Sequence, residues 1–272
     1  MTRSIFQKLR RVRDRFLVSI IVVGIFLSVF TVCAFQQIWW PEICNGASEG
    51  YTFRTLPVLP PPRYVPSAKD LAYGEQQVMK MVRDRPQMRG YVRRGDPVWQ
   101  YCVRQFAGEG IGSHIAWCDE TPQLGEADSE SPTRYQAARI RIRHYYDSGL
   151  SSGQERAGED LWASAVFEFN NLRSYKQFDR LAWGVIEGNV SRQQFIIGYA
   201  RIEYKTTRNM IRVYNGLWRP SMEKQGIAYS PWLCTQLPDT FEQSMAAYTD
   251  RSGYPWGWYG PEYDESRAGK HR

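Results

Sequence analysis

From residue 68 onward, apolar side chains recur at three- and four-residue intervals, the spacing of one buried helix face. In AKDLAYGEQQVMKMVRD, Leu71, Val78, Met81 and Val82 share a side; Ser67 stands at the N-cap position, and Pro86 and Gly90 close the run. GDPVWQYCVRQFAGEG repeats the rhythm with Val98, Tyr101, Cys102 and Phe106 until Gly108 and Gly110 stop it. A third helix is expected over about 156–173 and a fourth over YKQFDRLAWGVIE, closed by Gly188. A long helix then opens at Ser191, which forms a capping box with Gln194.

The period shortens to two only briefly. HIAWC reads as a short strand. In RYQAARIRIRHYY, Ile140 and Ile142 alternate with Arg139, Arg141 and Arg143, so one face is buried and the other carries guanidinium groups. Between these strands, DETPQLGEADSESPT (119–133) is acidic and poor in apolar residues, which predicts a long exposed loop. The expected class is α+β: a helix-rich domain over 68–250 with a small sheet. Residues 251–272 mix Gly, Pro and aromatics and are expected to be irregular, with Trp232, Trp256 and Trp258 packed on the body or exposed to a ligand.

The N-terminus follows a different pattern. FLVSIIVVGIFLSVFTVCAF, residues 16–35, has no charged residue, and as a helix it covers roughly 30 Å, the thickness of a hydrocarbon core. Residues 1–15 hold six basic side chains against Asp14, and Trp39 and Trp40 follow the run. The positive-inside rule then predicts one transmembrane helix, a cytoplasmic N-terminus and an extracytoplasmic remainder. A cleaved signal peptide ending at Val32-Cys33-Ala34 is the rival; the length of the run favours a retained anchor. Residues 36–67, with LPVLPPPRYVP, read as an extended Pro-rich stalk.

This partition changes the meaning of the charge. The net +7 belongs mostly to the first 15 residues, since residues 36–272 hold 29 basic and 27 acidic side chains. Nucleic acid is therefore not the expected partner. The expected partners are the membrane, through residues 16–35, and an envelope protein or glycan. Outside the apolar run stand Cys44, Cys102, Cys118 and Cys234, an even set that suggests disulfides in an oxidising compartment. Cys102 with Cys118 closes the shortest loop and leaves Cys44 with Cys234, the other two pairings remaining open.

Two carboxyl groups raise the question of chemistry. In GEDLWASAVFEFNNL, Leu161, Trp162, Ala165, Val166, Phe169 and Leu172 form the apolar stripe, with Glu168 at its edge beside Ser164 and Asn171. On the long helix, Glu203 flanks a stripe containing Phe195, Ile196, Tyr199 and Ile202. If the helices pack, the two carboxyls converge. The plainest expectation is that each meets an Arg, such as those of the 139–143 strand, because a charge in a dry place needs a partner. No GxSxG, Walker A or dinucleotide fingerprint is present.

The order of an alternating strand, a helix with a central Glu and a later helix with a second Glu resembles the zincin metallopeptidases, on the residues F-E-F-N-N at 167–171. The resemblance places Glu168 at the general base of H-E-x-x-H. Phe167 and Asn171 stand where the zinc-binding imidazoles belong, and Glu203 stands where a downstream helix supplies a third ligand. Phe offers zinc no donor and an Asn carbonyl is a weak one, so neither a metal nor another cofactor is expected. His114, His144 and His271 do not cluster in sequence. The expected function is thus a membrane-anchored extracytoplasmic binding or scaffolding protein with no assigned catalytic residue. Glu168, Asn171, Glu203 and Tyr199 would line its polar pocket. The alternative is an envelope hydrolase, peptidase- or glycosidase-like, with Glu168 as general base and Glu203 or Asp160 assisting.

Overall fold

The computed structural model describes residues 64–119, 127–134, 136–146 and 153–268. The apolar run 16–35, Cys44 and all but the last four residues of the Pro-rich stretch lie outside them. Among the described residues no helix is long and apolar enough to cross a membrane.

The chain opens with α1 (Ala68–Asp84), where Ser67 and Asp70 cap each other reciprocally, followed by a 3-10 turn over Pro86–Gly90 and α2 (Pro97–Phe106). These two helices approach closely at Gly74: a Cβ there would stand 2.1 Å from the Val103 carbonyl oxygen. Three strands follow, β1 (Ile115–Trp117), β2 (Ala127–Glu130) and β3 (Ala138–Ile142), in the spatial order β1-β3-β2. β1 runs parallel to β3 and β2 antiparallel to it.

The helical half comprises α3 (Gly158–Arg173), α4 (Tyr175–Ile186) and α5 (Arg192–Val213), the last with the expected Ser191–Gln194 capping box. A π turn over Tyr214–Trp218 leads into α6 (Arg219–Gln225). Then come a 3-10 turn at Leu233–Gln236, α7 (Phe241–Ala246) and α8 (Trp256–Arg267). The architecture is α+β, helix-rich with a small sheet.

Two apolar clusters hold it. The larger gathers α1, α2, the inner face of the sheet, α3 and the π turn around fully buried Trp162, Phe169, Phe106, Ile140 and Trp218. The smaller joins α4, α5 and α8 through Ala182, Val185, Phe195, Ile196, Tyr199 and Tyr259. α5 serves both: α3 packs along one side, and α4 and α8 along the other.

Three expectations are corrected. The acidic stretch 119–133 is not a continuous loop, because Ala127–Glu130 forms an edge strand. Its polarity suits the register: Asp128 stands opposite Arg141, and Glu130 opposite Arg139. Arg141 holds both Asp128 oxygens at 2.7 Å and Glu130 at 2.8 Å, a cross-strand ion cluster that replaces apolar alternation. The tail from 251 is not irregular but carries α8, which buries Tyr259.

The Cys102–Cys118 bridge is not formed. Cys102, Cys118 and Cys234 carry free thiols, because Cys102 lies on the buried side of α2 while Cys118 leaves the end of β1 beside Ile140. Nearness in sequence does not become nearness of sulfurs.

Candidate functional site

Glu168 sits on α3 where the helix meets β2, the strand that the polarity of the sequence concealed. The side chain is 3% exposed. The Ser129 hydroxyl on β2 and the Asn171 amide one turn along α3 hydrogen-bond to it. Burial pushes the carboxyl up to about 8; the negative charges of Asp128 and Glu203 add to this, and the two hydrogen bonds only partly oppose it. Glu168 is therefore mostly a neutral acid at pH 7.

Glu203 arrives from α5, on the side that α8 covers. Burial raises its carboxyl too, and the hydroxyls of Tyr259 and Tyr254 donate to it and moderate the effect. Beyond it stands Glu262 of α8, pushed up to about 7 by burial and by the charges of Glu203 and Glu265, with the Tyr199 hydroxyl as its hydrogen-bond partner. Tyr199, Tyr254 and Tyr259 are all held above the ordinary phenol value, first by burial and then by these carboxylates. The result is a row of three carboxyls, Glu168, Glu203 and Glu262, set among phenols. The groups that perturb them are carboxylates, hydroxyls and an amide, not guanidinium or ammonium groups. In such a row each carboxyl is pushed toward its protonated form.

The convergence of Glu168 with Glu203 expected from the two helix faces is present, and Tyr199 and Asn171 belong to the same neighbourhood. The expected Arg partners are not there. Arg141 is engaged by Asp128 and Glu130 on the outer face of the sheet, and Glu168 takes Ser129 and Asn171 in place of a guanidinium. Asp160 lies eight residues before Glu168, roughly 12 Å along the helix axis. It accepts a hydrogen bond from Tyr146, so it does not assist.

The residues at the two positions where a zincin would carry imidazoles are committed elsewhere. Phe167 packs against the larger core cluster, and Asn171 spends its amide on Glu168 while its own Oδ1 is buried without a hydrogen-bond partner. Among the described residues no three His, Cys, Asp or Glu side chains are grouped to hold a metal ion. His114 pairs with Asp70 at 2.7 Å and stacks on Tyr73, and His144 sits 3.1 Å from Glu155. His271 lies outside the described residues.

Five members of the site escaped sequence reading: Asp128, Ser129, Tyr254, Tyr259 and Glu262. The first two lie in a segment without apolar alternation. For the others a signal exists, since Tyr259, Glu262, Tyr263 and Ser266 recur at helical spacing, but Gly257, Gly260 and Pro261 mask it.

No family model, curated protein or solved structure matches this chain.

Proposed function

We propose that this protein is a binding or scaffolding domain, tethered to a membrane through residues 16–35 and exposed on the extracytoplasmic side. In this reading its zincin-like helix pair has kept a carboxyl without the metal chemistry that the carboxyl once served. The observation that carries the proposal is the condition of Glu168. A general base must be ionised and within reach of its proton. This one is buried, mostly protonated at neutral pH, and used to join β2 to α3. The donor set around it, a phenyl ring and an amide already bound, does not suit zinc. The row Glu168–Glu203–Glu262, its carboxyls all pushed toward protonation, then works as a polar seam that fixes α3, α5 and α8 in register.

The hydrolase alternative draws its support from the convergence of Glu168 and Glu203, since paired carboxyls suffice for glycoside hydrolysis. One set of experiments separates the two readings. Full-length protein in non-ionic detergent is assayed on peptidoglycan and on an unfolded protein substrate, beside Glu168→Gln. The expected result is no turnover that the variant lacks. Turnover lost in Glu168→Gln while the variant remains folded, or zinc bound at one equivalent, overturns the proposal. A reporter fused to the C-terminus that is active only outside the cytoplasm is expected to be active; an inactive reporter overturns the topology.

A further inference from the structure

A hollow lies far in sequence from the carboxyl row. It is an open groove of about 670 Å³ between α1, the 3-10 turn and the start of α2. Its walls carry Lys80, Arg83, Arg89, Arg93 and Arg94, and its floor is Met79, Val82, Val92 and Trp99. The charge is local: five lining side chains are basic and none is acidic, against near balance over 36–272.

Part of this charge is spent within the fold. Arg94 meets Glu75 at 2.5 Å, Arg83 meets Asp84 at 3.1 Å, and the Lys80 Nζ reaches the Trp117 carbonyl at 3.3 Å. Arg89 and Arg93 are exposed, and neither guanidinium meets a carboxylate among the described residues. Nothing in the packing of the domain requires two free guanidinium groups over an apolar floor.

We propose that this groove receives an acidic, partly apolar peptide segment of a partner protein, its carboxylates on Arg89 and Arg93 and its apolar side chains on the floor. The shape decides against the other anions. Val82, Val92 and Trp99 are 7%, 3% and 5% exposed and only Met79, at 49%, stands out from the floor, so most of the apolar surface is recessed and a flat bilayer reaches little of it. A free phosphate fills only a small part of the volume. A sugar acid needs an aromatic face to stack on, and Trp99 is buried with its Nε1 donated to Glu75 at 2.7 Å. An extended peptide alternating carboxylate and apolar side chains matches both the rim and the floor, and planar guanidinium groups bind carboxylates in two-point fashion.

This inference rests on the binding-domain reading and names its ligand class. Full-length protein in non-ionic detergent is titrated with a labelled synthetic peptide alternating Glu and Leu, by fluorescence anisotropy. Arg89→Glu with Arg93→Glu, at unchanged melting temperature, is expected to weaken binding by about tenfold or more, since it removes two contacts and adds like charge. Arg93→Gln alone is expected to fall between. Lys-for-Glu peptide should not bind.

No binding of the Glu-Leu peptide, equal binding by the double variant, or displacement of the peptide by phosphatidylglycerol doped into the micelles overturns the proposal; the last result makes the groove a headgroup site. Failure here leaves the non-catalytic reading intact, because turnover and topology decide that separately.

Discussion

Replacing Glu168 by Gln isolates what the buried carboxyl does, because the amide keeps size and polarity while removing the titration. In the folded chain this carboxyl holds its proton up to about 8, whereas the unfolded chain releases it near 4.5. Between those values unfolding releases a proton, so native stability falls as pH rises. Below the lower value both states are protonated and the contribution is complete; above the upper one both are ionised and the loss has levelled off. At about 1.4 kcal/mol per pH unit, the interval corresponds to roughly 5 kcal/mol before relaxation and water entry reduce it.

The wild type should therefore lose about 2–5 kcal/mol between pH 5 and pH 8.5 on account of this residue alone. Glu203 and Glu262 push in the same direction, and comparison with the variant removes them. Urea unfolding followed by tryptophan fluorescence is the assay, with full-length protein in detergent at intervals from pH 5 to 8.5. Near pH 5 the two proteins should agree within about 1 kcal/mol, since each presents a neutral polar group. At pH 8.5 Glu168→Gln should be the more stable. Parallel curves across the range, or a variant weaker than wild type at pH 8.5, would show Glu168 ionised and paired in the fold, and the account of its carboxyl as neutral would fail.

Other expectations concern packing and charge. Gly74→Ala should cost about 2–4 kcal/mol, because its Cβ would meet backbone at 2.1 Å, whereas Gly198→Ala meets only the flexible Leu181 side chain at 2.7 Å and should cost well under half as much; thermal melts of both compare them directly. Arg141→Met frees the charge of Asp128, so it should loosen β2, seen as faster amide exchange over 127–130, and raise the pH at which Glu168 ionises, seen in the stability profile. In native protein Cys118 should be alkylated while Cys102 and Cys234 resist, since burial pushes the Cys102 thiol far up and that of Cys234 up to about 11; peptide mapping after a maleimide pulse reads each site.

The helices were legible because each carries its own boundary. Ser67, Ser191 with Gln194, and Gly188 mark ends through local hydrogen bonds or a left-handed turn, and the stripes between them are set by one residue every third or fourth position. The strand bearing Ile140 and Ile142 was legible for the same reason: its alternation is internal to five residues. What stayed hidden depends on partners distant in sequence. β2 is a strand only because Arg141 and Arg139 stand opposite Asp128 and Glu130, and nothing within ADSE discloses that. α8 contains Gly257, Gly260 and Pro261, poor helix formers that tertiary contact with α4 and α5 overrides.

The same dependence explains the carboxyl at the margin of α3. A helix seen alone leaves Glu168 at the edge of its stripe, where an ion pair is the natural expectation. The strand that covers this edge brings a hydroxyl and a carboxylate, not a cation, and α5 adds a second acid. An ionised group there would be buried away from water and would feel the charges of Asp128 and Glu203, so its proton is held more tightly. The carboxyl of Glu168 is pushed up by burial beneath a strand that its own helix does not disclose.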